Sequence, residues 1–239
     1  MVYRKFILPL VAMIGTLTAG TALNAQIVWN FSSGIASPTS GLPSGLTGGS
    51  VSVAQAGGTP SINTTVASSG YIGASGGENY SIGTAGTGAF SATTSAYFTF
   101  TLTPTSGLAV NATALKLGSR STGTGPTSIL LYSSANAYAT PVGSVTATSN
   151  SAWALLDFGS LNITSPIDAA LTFRIYGAEG SGTVGSGNWR IDDISLSATA
   201  IPEPSAGALG VGFATLATVA VRRVCRRNEA SATHHAPGA

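Results

Sequence analysis

The sequence predicts an all-β fold, and three observations carry that prediction. Gly, Ser and Thr recur throughout residues 26–200, while the long straight-chain helix formers are scarce. Short runs of alternating apolar and polar residues follow one another, punctuated by turn residues about every ten positions. The clearest run, 96–103, sets Phe98, Phe100 and Leu102 against Tyr97, Thr99 and Thr101. That strict period of two gives a strand one buried face and one hydroxyl-bearing face. About nine to eleven such runs, with the first and last near the two ends of the domain, predict a two-sheet antiparallel sandwich of jelly-roll type.

Taken in order, Ile27, Trp29 and Phe31 share one face of a first strand over 26–31, and the Pro- and Gly-bearing stretch 32–49 is a loop. Weaker strands are expected at 50–54 and 61–66, separated by Gly57-Gly58-Thr59-Pro60. Residues 68–88 carry seven glycines and read as an exposed loop with one short strand near Tyr80. After 96–103, Leu115 and Leu117 point inward around Lys116, and 128–132 is the nearly continuous apolar run of a central strand. Strands at 142–146 and 152–158 precede a turn at Gly159-Ser160. In 170–176, Leu171, Phe173 and Ile175 oppose Thr172, Arg174 and Tyr176. A glycine loop over 177–187 leads to the last strand, 188–198. There the phase breaks, since Trp189 and Ile191 share one parity and Ile194 and Leu196 the other. One extra residue at Asp192-Asp193, a β-bulge, would return all four to the core; the alternative turns Trp189 and Ile191 to solvent or a covering loop.

Both ends carry targeting features. Arg4 and Lys5 precede an apolar run from Phe6 to about Leu17, and small residues lead to Ala25. This is the layout of a secretory signal peptide over residues 1–25, cleaved after Ala25, with the bond after Ala22 as second choice and an uncleaved anchor as the alternative. At the other end, residues 205–221 hold no charged side chain, and about 17 residues at ~1.5 Å each just reach across a bilayer core. Arg222, Arg223, Arg226 and Arg227 follow at once and hold that side in the cytoplasm. Residues 228–239 are expected to form a disordered tail.

Pro202-Glu203-Pro204, the apolar helix 205–221 and the basic cluster 222–227 together resemble the PEP-CTERM sorting signal of Gram-negative bacteria. The resemblance covers 201–227. It implies that a membrane-embedded exosortase recognises the segment and cuts near the motif, after export by the general secretion machinery and a transient stay in the inner membrane. The ectodomain would then reach the cell surface or extracellular matrix. The ending Trp189 to Leu196 also resembles the closing strand of jelly-roll domains of the carbohydrate-binding and PEP-CTERM ectodomain type.

Composition narrows the chemistry. Residues 26–200 hold four basic residues against six acidic ones, a net charge of −2, so no basic patch is left for nucleic acid. They contain neither Cys nor His. A Ser-His-Asp or Cys-His mechanism lacks its imidazole, and a zinc site lacks its usual ligands. Glu78, Asp157, Asp168, Glu179, Asp192 and Asp193 are the carboxylates a glycosidase would need in a fixed pair. Both glutamates fall in glycine-rich loops, so this is the weakest of three readings. Asp192 and Asp193 are the one acidic pair, suited to Ca²⁺ if the bulge turns both to one side. The plainer expectation is that they pair with Arg174 or Arg190, or cap loop amides. Tyr71, Tyr80, Tyr132, Tyr138, Trp153 and Trp189 offer either a sugar-stacking platform or core and rim packing. The leading expectation is a non-catalytic structural or adhesive sandwich without a cofactor. A carbohydrate-binding module, Ca²⁺-dependent through Asp192 and Asp193, is the alternative.

Overall fold

The computed structural model describes residues 25–55, 57–83, 88–181 and 189–202. Its strands are β1 (Ala25–Trp29), β2 (Leu46–Gly48), β3 (Ser52–Ala54), β4 (Gly57–Asn63), β5 (Asn79–Gly83), β6 (Tyr97–Pro104), β7 (Leu108–Ser121), β8 (Ser128–Ser133), β9 (Gly143–Thr146), β10 (Trp153–Thr164), β11 (Leu171–Ala178) and β12 (Trp189–Pro202). They form two antiparallel sheets. Sheet A runs β10-β7-β12-β5-β4, with β1 also on β12, and sheet B runs β2-β6-β11-β8-β9, with β3 also on β6.

The core lies between the sheets and follows the alternation in the sequence. On β6 and β11, Phe98, Phe100, Leu102, Leu171, Phe173 and Ile175 are buried. Aromatic side chains join the layers. Trp29 of sheet A packs on Phe100 of sheet B at 4.8 Å between ring centres, and Trp189 meets Phe98 edge-on at 4.9 Å. Each buried indole N–H finds an acceptor, Gly49 O for Trp29 and Ser119 Oγ for Trp189, both at 3.1 Å.

Several elements depart from the sequence reading. The expected turn at Gly159-Ser160 is a bulge inside β10, where four residues, Asp157 to Ser160, oppose the three from Lys116 to Ala114. Gly159 takes φ +72 there, and the buried positions shift from Leu156 and Phe158 to Leu161 and Ile163. The Gly57-to-Pro60 separator belongs to β4, and a short strand, β2, lies within the expected loop 32–49.

β12 is the central strand of sheet A. It pairs along its whole length with β7 on one side. On the other side β5 pairs with Trp189 to Ile191, and β1 with Ile194 to Ala198. Pairing with β7 continues through Ile201↔Ala109 and Pro202↔Leu108, so the first proline of the expected motif is the last described residue of β12. Pro lacks an N–H and suits a strand end. Residues 1–24, Glu203, Pro204, the apolar stretch 205–221, the four arginines and the tail lie outside the described residues. Among the described residues no helix is long and apolar enough to cross a membrane.

Candidate functional site

The expected bulge is present, and it sits where β12 forks. Between Asp192 and Ser195, β12 spends one more residue than β7 does between Gly118 and Lys116, and Asp193 takes a left-handed φ of 49° to absorb it. Trp189, Ile191, Ile194 and Leu196 are all fully buried as a result. The bulge falls in the gap between the start of β5 and the end of β1, which frees both carboxylates for the loop 64–78 that joins β4 to β5.

That loop folds back over the outer face of sheet A, and Asp193 is its anchor. Asp193 Oδ2 accepts from Tyr71 OH at 2.5 Å, from the Ser75 amide at 3.1 Å and from Ser68 Oγ at 3.2 Å. Asp192 Oδ1 accepts the Asp193 amide at 2.8 Å, and its Oδ2 lies 3.5 Å from Ser75 Oγ. Burial, and then the neighbouring Asp193 charge, push the Asp192 carboxyl up to about 7. The Tyr71 hydroxyl is pushed far above its ordinary value, chiefly by burial and next by its bond to Asp193. Gly118 makes this approach possible, since a Cβ there would overlap the Tyr71 hydroxyl.

The base of the loop is held by Arg190. Its Nη1 donates to Asn79 Oδ1 at 2.8 Å, Asn63 Oδ1 at 2.9 Å and Thr65 O at 3.0 Å, while Trp153 Nε1 donates to Val66 O at 3.0 Å. Of the two expected uses of Asp192 and Asp193, pairing with Arg174 or Arg190 does not form, and capping of loop groups does. Between the loop tip and Gln26, Lys116, Leu155 and Ser195 lies a groove of about 420 Å³. Ile72, 93% exposed, stands at its mouth.

The remaining carboxylates are mostly used in local structure. Glu78 accepts the Gly34 amide, Asp168 the Gly107 amide at 2.6 Å, and Asp157 both the Gly159 amide at 2.8 Å and Lys116 Nζ at 2.9 Å. Among the described residues no three His, Cys, Asp or Glu side chains gather.

The six aromatic candidates do not form one platform. Trp189 is core, and Tyr80 packs edge-on against Phe31 and Phe98, each at 5.6 Å. Tyr71 and Trp153 lie 6.4 Å apart on the outer face of sheet A. Tyr132 and Tyr138 belong to the outer face of sheet B, together with three residues that sequence reasoning had not assigned to a platform. There Tyr97 lies 4.6 Å from Tyr176, and Phe90 stacks on Tyr132 at 5.3 Å. Arg174 lies over Tyr138 at 3.8 Å and over Tyr97 at 5.1 Å. The outward parity of Tyr97, Arg174 and Tyr176 was visible in the sequence. Their juxtaposition comes from the register, which pairs Tyr97 with Tyr176 and Thr99 with Arg174.

The chain matches no protein-family model and no curated protein. Among solved structures it is similar to an arabinose-bound α-L-arabinofuranosidase, with a TM-score of 0.43 and 12% identity over 74% of this chain and 27% of that one. It is also similar to an isomalto-dextranase of Arthrobacter globiformis complexed with panose, at 0.33 and 13% over 73% of this chain and 33% of that one. A cleaved adhesin domain of Lys-gingipain from Porphyromonas gingivalis matches at 0.36 and 10%, over 72% of this chain and 97% of the domain. The chain thus spans a third or less of the two enzymes.

Proposed function

We propose that this is an exported cell-surface or matrix protein whose jelly-roll-like sandwich is non-catalytic and adhesive, contacting polysaccharide through the outer face of sheet B. The observation that carries the adhesive reading is the group of Tyr97, Tyr132, Tyr138 and Tyr176 around Arg174 on that face. Tyr132 and Tyr176 are buried beneath that face, while the half-buried Tyr97 and Tyr138 present flat apolar rings with a polar rim, the combination that orients a small polar ligand on a surface. The test is retention of the full chain on matrix polysaccharide. Replacing both Tyr97 and Tyr138 by Ala abolishes retention, whereas replacing Trp153 on the opposite sheet leaves it intact.

The route to the surface is read from the two ends of the chain. The general secretion machinery takes residues 1–25 as its signal. Exosortase then processes the motif Pro202, Glu203 and Pro204 from an inner-membrane intermediate held by 205–221 and by Arg222, Arg223, Arg226 and Arg227. Supporting this order, the motif begins at the last residue of β12, so a cut beyond it leaves the described strands whole. Intact mass and fractionation test it. The native protein ends near Pro204 outside the inner membrane, and a variant with all three motif residues changed to Ala stays behind at full length.

A second use of Asp192 and Asp193, as a Ca²⁺ site supporting a carbohydrate-binding module, would require Asp193 Oδ2 to exchange its three donors for the ion. Glycan retention measured with Ca²⁺ and with a chelator separates the two uses, and the adhesive reading expects no difference.

A further inference from the structure

Among the described residues Arg174 is a cation without a counter-ion. It lies in β11, opposite Thr99 of β6 and Tyr132 of β8, and faces outward near the middle of sheet B. Among the described residues the single salt bridge is Lys116–Asp157, in sheet A. The six strands of sheet B contain no Asp or Glu, whereas Asp157, Asp192 and Asp193 all lie in strands of sheet A. The only hydrogen bond of the guanidinium to a described residue is Nη1 to Tyr176 OH, at 3.5 Å. Its other donors have none among the described residues, although a guanidinium presents five in a planar fork.

The surroundings hold that fork in place while leaving one side open. Tyr138 reaches Arg174 from the turn after β8, where Ala137 and Tyr138 take successive left-handed φ values of 55° and 58°. Two consecutive non-glycine residues in that region are strained and persist only where the structure enforces them. Here the Tyr138 amide donates to Ser133 O at 3.0 Å, and Asn136 Nδ2 to Thr140 O at 2.9 Å. The ring of Tyr138 and that of Tyr97 orient the guanidinium by cation–π attraction, which leaves its N–H edge unspent. An oxyanion meeting that edge makes two parallel charge-assisted hydrogen bonds, and a sugar ring bearing it lies beside the tyrosine rings.

We propose that the outer face of sheet B binds an acidic polysaccharide, the carboxylate of a uronic-acid residue seating on the Arg174 guanidinium beside Tyr97 and Tyr138. This deepens the adhesive reading above and rests on it. The ligand's charge complements the one uncompensated cation among the described residues of the face, and no carboxylate in a sheet B strand repels it.

Affinity electrophoresis of the full chain tests this in gels of polygalacturonate, carboxyl-reduced polygalacturonate, dextran sulfate and neutral galactan. Polygalacturonate retards the chain, and carboxyl reduction weakens retardation about ten-fold or more, the usual worth of a charge-assisted pair. Arg174→Gln removes the difference between the two polymers, and Arg174→Lys restores only part of it because an ammonium lacks the fork. The carboxyl-reduced arm needs no variant, so the test stands even if a substitution harms folding. Equal retardation by the reduced polymer, an unchanged response in Arg174→Gln, or a preference for dextran sulfate overturns the uronate assignment while leaving glycan adhesion standing. Retardation by none of the four overturns the adhesive reading together with it.

Discussion

The Tyr71 hydroxyl donates to Asp193 Oδ2 at 2.5 Å, across 122 residues of sequence. That bond ties a glycine-rich loop to the bulge of the central strand of sheet A. Removing the hydroxyl in Tyr71→Phe leaves Asp193 short of one donor, at a cost of about 2 kcal/mol, the range for hydrogen bonds to charged groups. Urea unfolding reads the loss, and limited proteolysis within 64–78 accelerates, while the slope of the urea dependence stays unchanged.

Gly118 gives a second handle on the same contact. Any side chain there displaces Tyr71 from Asp193. Gly118→Ala is therefore expected to expel the loop tip and cost about 1–3 kcal/mol, as overpacked sites do. Combined with Tyr71→Phe it adds less than the sum of the two, because both remove one interaction.

The pH dependence follows from Asp192. Its carboxyl titrates near 3.8 when free and at about 7 in the fold, where burial and then Asp193 disfavour its charge. Between those values the folded protein holds a proton that the unfolded chain releases, so stability declines as pH rises through the interval and levels above about 7. The slope is at most about 1.4 kcal/mol per pH unit, the value for one proton. Asp157, held below its usual range by Lys116, acts in the opposite sense, but only under more acidic conditions. Urea titrations at pH 5, 6, 7 and 8 in the presence of a chelator check this, and Asp192→Asn flattens the profile.

In the core, Phe98 touches both Trp189 and Tyr80 and is fully buried. Phe98→Ala is expected to cost about 3–5 kcal/mol, measured by urea unfolding.

What was legible in the sequence was whatever depends on parity. Phe98, Phe100 and Leu102 were assigned inward by alternation alone, and the change of parity between Ile191 and Ile194 located the bulge. The same signature at Leu156, Phe158, Leu161 and Ile163 was masked by Gly159-Ser160, which has the composition of a turn. Gly there supplies the left-handed φ of a bulge just as well as that of a turn. Composition reads the stretch 68–88 as an exposed loop because the anchors of its first part, Asp193 and Arg190, lie more than a hundred residues away in sequence, and composition carries no long-range pairing. Arg174 was weighed as a partner for the acidic pair. Parity placed it outward with Tyr176, but only the register of β11 with β6 and β8 puts it on the sheet opposite the aspartates.

Tyrosine nitration, read residue by residue by mass spectrometry with and without polygalacturonate, tests the adhesive face most directly. Bound polymer is expected to shield Tyr97 and Tyr138 of sheet B and to leave Tyr71 of sheet A unchanged. Shielding of Tyr71 with Tyr97 and Tyr138 still reactive would move binding to the groove beside Asp193 and contradict it.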